Sequence, residues 1–372
     1  IDFNTIGVLV GMMIVVAVIR TTGLFEYISI RAAKAAKGDP WKILVAFVLI
    51  TALLSAFLDN VTTVLLVGPM SIAIARMLEI NPVPFLMMQI LASNVGGTAT
   101  MIGDPPNIMI GSASGLSFMD FIANTGVASL LIVIAQVIMM KFLYKKQLES
   151  GTVNTQSVME LDPDKSITNH KLMKQSIVVM ILVVIGFMIH DKLGFDSCIV
   201  ALTAAAVMLI IGHQEVDHII GEVEWTTIVF FMSLFVVVGG LERTGVIHSI
   251  SNWLISATEG HYVLTMLVLL WGAALLSSVL DNIPFVATLI PLVLTMQQQG
   301  MNVEAYWWAI SLGACLGGNG TMIGASANVV LSDIANKHGY PITFKSYLRV
   351  GFPFMLMSVG IATLFLLVRY AL

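Results

Sequence analysis

The chain has 372 residues, of which 58% are hydrophobic and only 11% charged, and it carries a net charge of −4; its mean hydropathy is +0.93. A soluble domain carries about 25% charged residues, so the composition excludes a water-soluble globule and makes a lipid bilayer the first partner. Nothing in the charge suggests nucleic acid, and Cys198 and Cys315 lie in apolar runs without disulfide or zinc spacing, so no cofactor is expected.

Apolar runs of about 17–25 residues mark spans. The first covers residues 3–19. Residues 24–38 follow, with Arg31, Lys34 and Lys37 spaced for one face of an interfacial amphipathic helix. Two apolar arms, 41–58 and 62–78, meet at Asp59-Asn60. A span over 85–114 is interrupted by a Gly/Thr/Pro-rich stretch, and another runs over 121–140. Residues 141–174 form the long hydrophilic segment, with Lys141, Lys145, Lys146, Lys165, Lys171 and Lys174. Spans at 175–190 and 196–212 come next, and then the pattern begins again.

Sliding the chain by 222 residues puts Thr5-Ile6 on Thr227-Ile228, Thr22-Gly23 on Thr244-Gly245, Asp59-Asn60 on Asp281-Asn282 and Pro69 on Pro291. With one residue deleted, GGTATMIGDPPN at 96–107 falls on GGNGTMIGASAN at 317–328. By the same shift, the spans at 175–212 have their counterparts expected before Ile1. The number of crossings between Ile6 and Ile228 is odd whether the arms cross or turn back, so the repeats are inverted. Charge agrees. Segment 24–42 carries Arg31, Lys34, Lys37 and Lys42, and its counterpart 246–264 carries no Lys or Arg. The positive-inside rule puts the first in the cytoplasm, with the 141–174 loop, Lys337 and Lys345; Arg369 is the exception. The expected organisation is a first repeat at 1–145, a cytoplasmic linker at 146–170 and a second repeat at 171–372, in an all-α polytopic protein of a bacterial or archaeal inner membrane.

A carboxylate at membrane depth costs about 2.5–3.5 kcal/mol and is a functional hypothesis by default. Asp59 and Asp281 therefore suggest two re-entrant hairpins with tips near the midplane, where each acid also has the chance to cap the helix that follows. Gly96, Gly97, Gly103, Pro105 and Pro106 cannot sustain a helix. The break frees carbonyls for cations and half-helix N-termini for anions. The expected ion-binding set in the first repeat is Asp59, Asn60, Thr62, Thr63, Asn94, Gly97, Thr98, Thr100, Gly103, Asp104 and Asn107. In the second it is Asp281, Asn282, Gly318, Asn319, Thr321, Ser326 and Asn328. Asp104 is answered by Ala325, so the halves are not chemically equal. Sodium is expected at Asp59, Asn60, Asp281 and Asn282. The acidic connector with Glu215, Asp217, Glu222 and Glu224 reads as a solvated loop, and Trp307-Trp308 as an interfacial belt.

FLDNVTTVLLVGP at 57–69 and SNVGGTATMIGDPPNIMIG at 93–111 resemble the ArsB/NhaD permease family, in its P protein-like branch. That family belongs to the ion transporter superfamily with dicarboxylate and citrate transporters. The resemblance implies a homodimer with a scaffold and a mobile, elevator-type transport domain, here about 41–140 and 262–372. In dicarboxylate members the hairpin tips read Ser-Asn-Thr and bind Na⁺ and substrate carboxylate. The matching positions here are Asp59-Asn60-Val61 and Asp281-Asn282-Ile283, which argues against a dicarboxylate. No Arg or Lys lies in either tip or either broken segment. Two buried acids favour a cation, a proton or a neutral substrate coupled to one.

The expected function is a secondary active transporter, not an enzyme, moving a small inorganic ion by arsenite efflux or Na⁺/H⁺ antiport, with Na⁺ or H⁺ as coupling ion. Sodium-coupled anion or dicarboxylate transport is the alternative. A passive channel and an intramembrane aspartyl protease are the rivals from other classes; the protease lacks its GxGD element, because Ile102-Gly103-Asp104 has no first Gly.

Overall fold

Every regular element among the described residues is helical, as a backbone with no water to pair it requires. The computed structural model describes residues 1–149 and 154–372. Residues 150–153 of the expected linker, and the side chain of Lys146, lie outside the described residues.

The first set of helices is α1 (Phe3–Arg20), α2 (Leu24–Ala35), α3 (Pro40–Ser55), α4 (Asn60–Met77), α5 (Val83–Thr98) and α6 (Pro105–Ser114). A short α7 (Phe118–Phe121) passes through a π-helical turn, Ile122–Gly126, into α8 (Val127–Glu149). On the linker lie α9 (Thr155–Met159) and a 3₁₀ turn, Pro163–Ser166, before α10 (His170–Leu193), α11 (Ser197–Gly212) and α12 (Val216–Gly221). The second set is α13 (Trp225–Arg243), α14 (Val246–Ala257), α15 (Tyr262–Ser277), α16 (Asn282–Gln298), α17 (Glu304–Gly317), α18 (Ser326–Lys337) and α19 (Phe344–Tyr370). The bounds of α2 and α14, and of α3 and α15, differ by the 222-residue repeat at both ends.

Local chemistry sets these boundaries twice over. Asp2 and Asp39 accept backbone N–H groups at the starts of α1 and α3, as Asp59 and Asp281 do for α4 and α16. Gly23 and Gly245 adopt the same left-handed conformation, φ 76° and 78°, to open α2 and α14.

Among the described residues, six segments are long and apolar enough to cross a membrane: α1, α4, the continuous 118–145 stretch, α10, α13 and α19. The hairpin arms α3 and α15 have 16 residues each, about 24 Å of helix at about 1.5 Å per residue. That is short of the hydrocarbon core at about 30 Å. The chain is an integral membrane protein.

The broken helices lie at the centre. Residues 84–98 of α5 and 305–317 of α17 are all buried. The two pack against each other, α3 covers α5 and α15 covers α17. Across the repeat boundary, α18 packs on α4 and α16 on α6, so the two hairpins and the two broken helices form one bundle. Trp307 and Trp308 sit inside it, 4% and 1% exposed, and not in the interfacial belt expected of them. The edge of Trp308 meets Phe121, with ring centroids 5.1 Å apart.

The charge-derived sidedness is matched by contacts. Lys34 Nζ donates to the Leu161 carbonyl at 2.5 Å, and Thr168 N donates to the Thr22 carbonyl at 3.1 Å, so α2 and the linker share a face. Arg76, at the end of α4, donates to the His338 carbonyl just past α18, at 2.8 Å. Arg369 donates to the Ala123 carbonyl at 3.1 Å, at the opposite end of α8 from the linker.

Bare Cα atoms let the hairpin arms lie directly on the broken helices. A Cβ on Gly96 would stand 2.2 Å from the Ala52 carbonyl oxygen, and one on Gly317 would stand 2.5 Å from that of Ala274. Backbone on the receiving side cannot swing away. Gly96→Ala and Gly317→Ala are each expected to cost about 1–3 kcal/mol, read as a lowered thermal midpoint in detergent; a variant melting with the parent would show that the arms have room to part.

Candidate functional site

Breaking a helix inside a bilayer frees carbonyls that need new donors. Both breaks use an asparagine. Asn107 Nδ2 donates to the carbonyls of Thr98 and Thr100 at 3.1 and 3.0 Å, and to that of Gly97 at 3.4 Å. Asn328 Nδ2 donates to those of Gly318 and Thr321 at 2.7 and 2.9 Å. The hairpins are tied on in the same duplicated manner. Ser55 Oγ donates to the Ser93 carbonyl and Ser277 Oγ to the Ala314 carbonyl, both at 2.7 Å. The Thr100 hydroxyl donates to the Ala56 carbonyl and the Thr321 hydroxyl to the Ser278 carbonyl.

The side-chain oxygens of the two asparagines then cross to the other repeat. Asn107 Oδ1 accepts from Ser311 Oγ at 2.6 Å, and Asn328 Oδ1 from Asn94 Nδ2 at 2.9 Å. Asn94 also donates to Asn319 Oδ1 at 2.9 Å and accepts from Asn60 Nδ2 at 3.0 Å. Here the halves diverge. Asn282 is the counterpart of Asn60, but the residue matching Asn94 is Cys315, a poor acceptor. Asn282 reaches Asp104 instead, with its Nδ2 3.4 and 3.3 Å from the two carboxylate oxygens. Asn60 has no such option, because the residue matching Asp104 is Ala325.

Between these groups lies a cavity of about 400 Å³. Asp59, Asn60, Asp104, Asn282 and Ser326 are its polar floor, and Glu224, Thr226 and Thr227 form one side. Among the described residues, no Lys or Arg lines it. Pro105 and Ser326, the first residues of α6 and α18, also face it. Asp59 Oδ1 accepts from Thr62 N at 2.9 Å, and its Oδ2 takes the Thr62 hydroxyl. Asp104 is 1% exposed, makes no side-chain cap bond to α6, and has the Asn282 amide as its donor, while the Cys315 thiol is given to Asn107 Oδ1 at 3.7 Å. An amide is not a cation. A carboxyl buried this deeply calls for a proton or a bound cation.

The other expected ligands are placed as follows. Asp281 Oδ2 accepts from Ser326 Oγ at 2.9 Å, and its Oδ1 from Ile283 N at 3.2 Å; Asp281 itself is not among the cavity residues. The Thr98 hydroxyl donates to the Asn94 carbonyl at 2.7 Å. Asn319 Nδ2 points back to the Leu91 carbonyl at 3.4 Å. Thr63 is buried with its hydroxyl unpartnered. Gly97 and Gly103 meet where the two halves of the first break pass, as Gly318 and Gly324 do in the second. Among the described residues, no three His, Cys, Asp or Glu side chains are arranged to hold a metal. A sodium ion here would need amide and carbonyl oxygens beside a carboxylate.

The sequence reading left Glu224 in a solvated connector and did not single out Thr226 or Thr227 as site residues, although the repeat register contained the signal: Asp2 falls on Glu224 and Thr5 on Thr227.

Residues 1–313 match the family model described as citrate transporter, CitMHS. A protein of Mycobacterium bovis described as an uncharacterized transporter is 40% identical over 378 residues, covering 100% of this chain and 87% of that protein. The P protein of Homo sapiens is 31% identical over 454 residues, covering 100% of this chain and 54% of that protein. Among solved structures, the YdaH transporter of Alcanivorax borkumensis has a TM-score of 0.66 at 15% identity, covering 99% of this chain and 86% of that one, a likeness of fold.

Asn328→Asp exchanges a donor for an acceptor of the same shape opposite two carbonyls. It is expected to cost at least about 1–3 kcal/mol, seen as a lowered thermal midpoint in detergent. An unchanged midpoint would mean that water or another group serves those carbonyls.

Proposed function

Because the chain belongs to the citrate transporter family, we propose that it is a secondary active transporter in which the cavity at Asp59, Asn60, Asp104 and Asn282 carries a small inorganic ion in exchange for, or together with, Na⁺ or H⁺. One observation carries the reading: carboxylates reach the cavity from one hairpin tip and one broken helix, with no cationic side chain among the described lining residues to neutralise them. Such a site is built for positive charge. Its neutral oxygens, from Asn60, Asn282 and Ser326, suit a hard cation that has shed part of its water. Na⁺/H⁺ antiport fits directly. Arsenite efflux fits if the uncharged acid is carried and the carboxylates handle the coupling proton.

The moving part we propose is the bundle of α3–α6 and α15–α18, which contains the whole cavity floor. It would travel against α1, α2, α10, α11, α13 and α14 in the elevator manner. Alternating access then needs no rearrangement of the asparagine network, because the site moves as one body.

A second reading draws on the family description. Pro105 and Ser326 aim two helix starts at the cavity, and a half-helix N-terminus attracts an anion. An anion such as citrate would then enter with its own cation held by Asp59 and Asp104, a sodium- or metal-paired carboxylate and not a bare one.

Proteoliposome flux separates these readings when sodium, pH, arsenite and citrate are varied one at a time. Asp104→Asn and Asp59→Asn should each abolish coupled flux in protein that still elutes as a single folded species. Flux at the parent rate in both variants would remove the cavity from the mechanism. Counter-flow of labelled substrate should be present; its absence would indicate a channel.

A further inference from the structure

A second, smaller cavity of about 170 Å³ adjoins the first. It is lined by Arg20, Glu222 and Thr62 among others, and it shares Met13, Leu65 and Glu224 with the central one. Of these three shared residues, only Glu224 carries charge. At the far side Arg20 and Glu222 form an ion pair at 3.1 Å, with both side chains wet, 55% and 41% exposed. Arg20 ends α1 on the face assigned to the cytoplasm by the basic cluster. The polar groups thus form a file from solvent through Glu222 and Glu224 to Asp59 and Asp104. Thr62 stands beside it, lining the smaller cavity while its hydroxyl is held on Asp59.

Glu224 has a counterpart. It holds the N-cap position of α13 as Asp2 holds that of α1, one 222-residue repeat apart, although only the Asp2 side chain accepts backbone N–H groups there. Each takes a hydroxyl from the threonine three residues on: Thr5 Oγ1 donates to Asp2 Oδ2 at 2.6 Å, and Thr227 Oγ1 to Glu224 Oε2 at 3.1 Å. The surroundings of the two differ. Thr226, beside Glu224, lines the open cavity. Its counterpart Asn4 is tied down: Nδ2 donates to Ser112 Oγ of α6 at 3.3 Å, and Oδ1 accepts from Ser197 Oγ and Cys198 N at 3.1 and 2.9 Å. One end is open while its repeat mate is closed, as expected of inverted repeats caught on one side of an exchange of conformations.

We propose that Glu224 and Asp2 are paired access carboxylates, one for each membrane face: a cation passing between the cytoplasm and the central cavity passes Glu224, and one passing between the opposite face and the cavity passes Asp2 after the repeats exchange conformations. This rests on the central cavity being a cation-dependent transport site. The groups that face Glu224 are Asp59 and Asp104 from the bundle, Arg20 from α1 and Glu222 from the connector. Burial chiefly, and the Asp59 charge behind it, raise the Glu224 carboxyl above its ordinary value, while the Thr227 bond pulls the other way. That fits a group that gives and takes protons in passing.

The test is sided. In proteoliposomes of known orientation, sodium and pH are varied on one face at a time. Glu224→Gln should raise the half-saturating coupling-ion concentration on the cytoplasmic face about fivefold, the effect of losing one charge roughly 4 Å from the ion in a wet mouth. The opposite face should be unaffected, and Asp2→Asn should do the reverse. Glu224→Asp should restore most of the loss. Equal effects on both faces, or none, would overturn the assignment. Asp104→Asn run in parallel separates the two claims. If it transports like the parent, the central-site reading is wrong; if it is dead and sidedness is missing, only the access assignment falls. Should Glu224→Gln or Asp2→Asn fail to fold, Thr226→Cys and Asn4→Cys in a Cys198→Ala background decide the matter. A membrane-impermeant thiol reagent should reach the first from the cytoplasmic face and the second from the opposite one, and reaction of both from the same face overturns the proposal.

Discussion

The architecture depends on satisfying backbone carbonyls where helices stop inside the membrane. In water an interrupted helix loses little, because solvent takes over the freed groups; in hydrocarbon each unpaired group costs several kcal/mol. This chain answers with Asn107 and Asn328, each of which serves at least two carbonyls with its amide nitrogen and reaches across the repeat boundary with its amide oxygen. One side chain type therefore both permits the break and fixes how the halves meet. Serine and threonine at four matched positions fasten the hairpins to the breaks.

On that symmetric frame the chemistry is asymmetric. Two substitutions in the repeat, Asp104 against Ala325 and Asn94 against Cys315, redirect the two tip asparagines to different partners. Asn60 joins the amide network at the repeat boundary, and Asn282 is left holding a buried carboxyl. A symmetric site would carry equal charge on both sides of its axis. This one has a carboxylate at 104 and an alanine at the matching 325, so its charge is unequal between the repeats.

Much of the fold was legible because polar residues recur at a fixed shift. Asp59-Asn60 on Asp281-Asn282 located both hairpins, and the Gly-Gly and Thr-Met-Ile-Gly elements located both breaks. The identity of the ligands was less legible. Asn107 and Asn328 look like free oxygen donors in sequence, and only coordinates show their amides turned inward to the carbonyls. Trp307 and Trp308 read as a belt because indoles favour interfaces; the burial of α17 on every side cannot be seen in a linear pattern. Glu224 escaped notice because a run of acids before a span resembles any wet loop. The same shift that revealed the tips pairs it with Asp2.

The bonds that cross the repeat boundary bear on how the protein is made. Asn107 finds its Ser311 partner 204 residues later in the chain. At a synthesis rate of about 5–20 residues per second, that is a wait of roughly 10–40 s. For that interval the first half sits in the bilayer with its central amide oxygen unserved and its broken helix lacking the opposing one. The nascent half must either be held loosely near the insertion machinery or keep its break straightened until the second half arrives. Biogenesis of this protein is therefore a problem of delayed assembly, in which neither half is a finished object and the last-made helices complete the first.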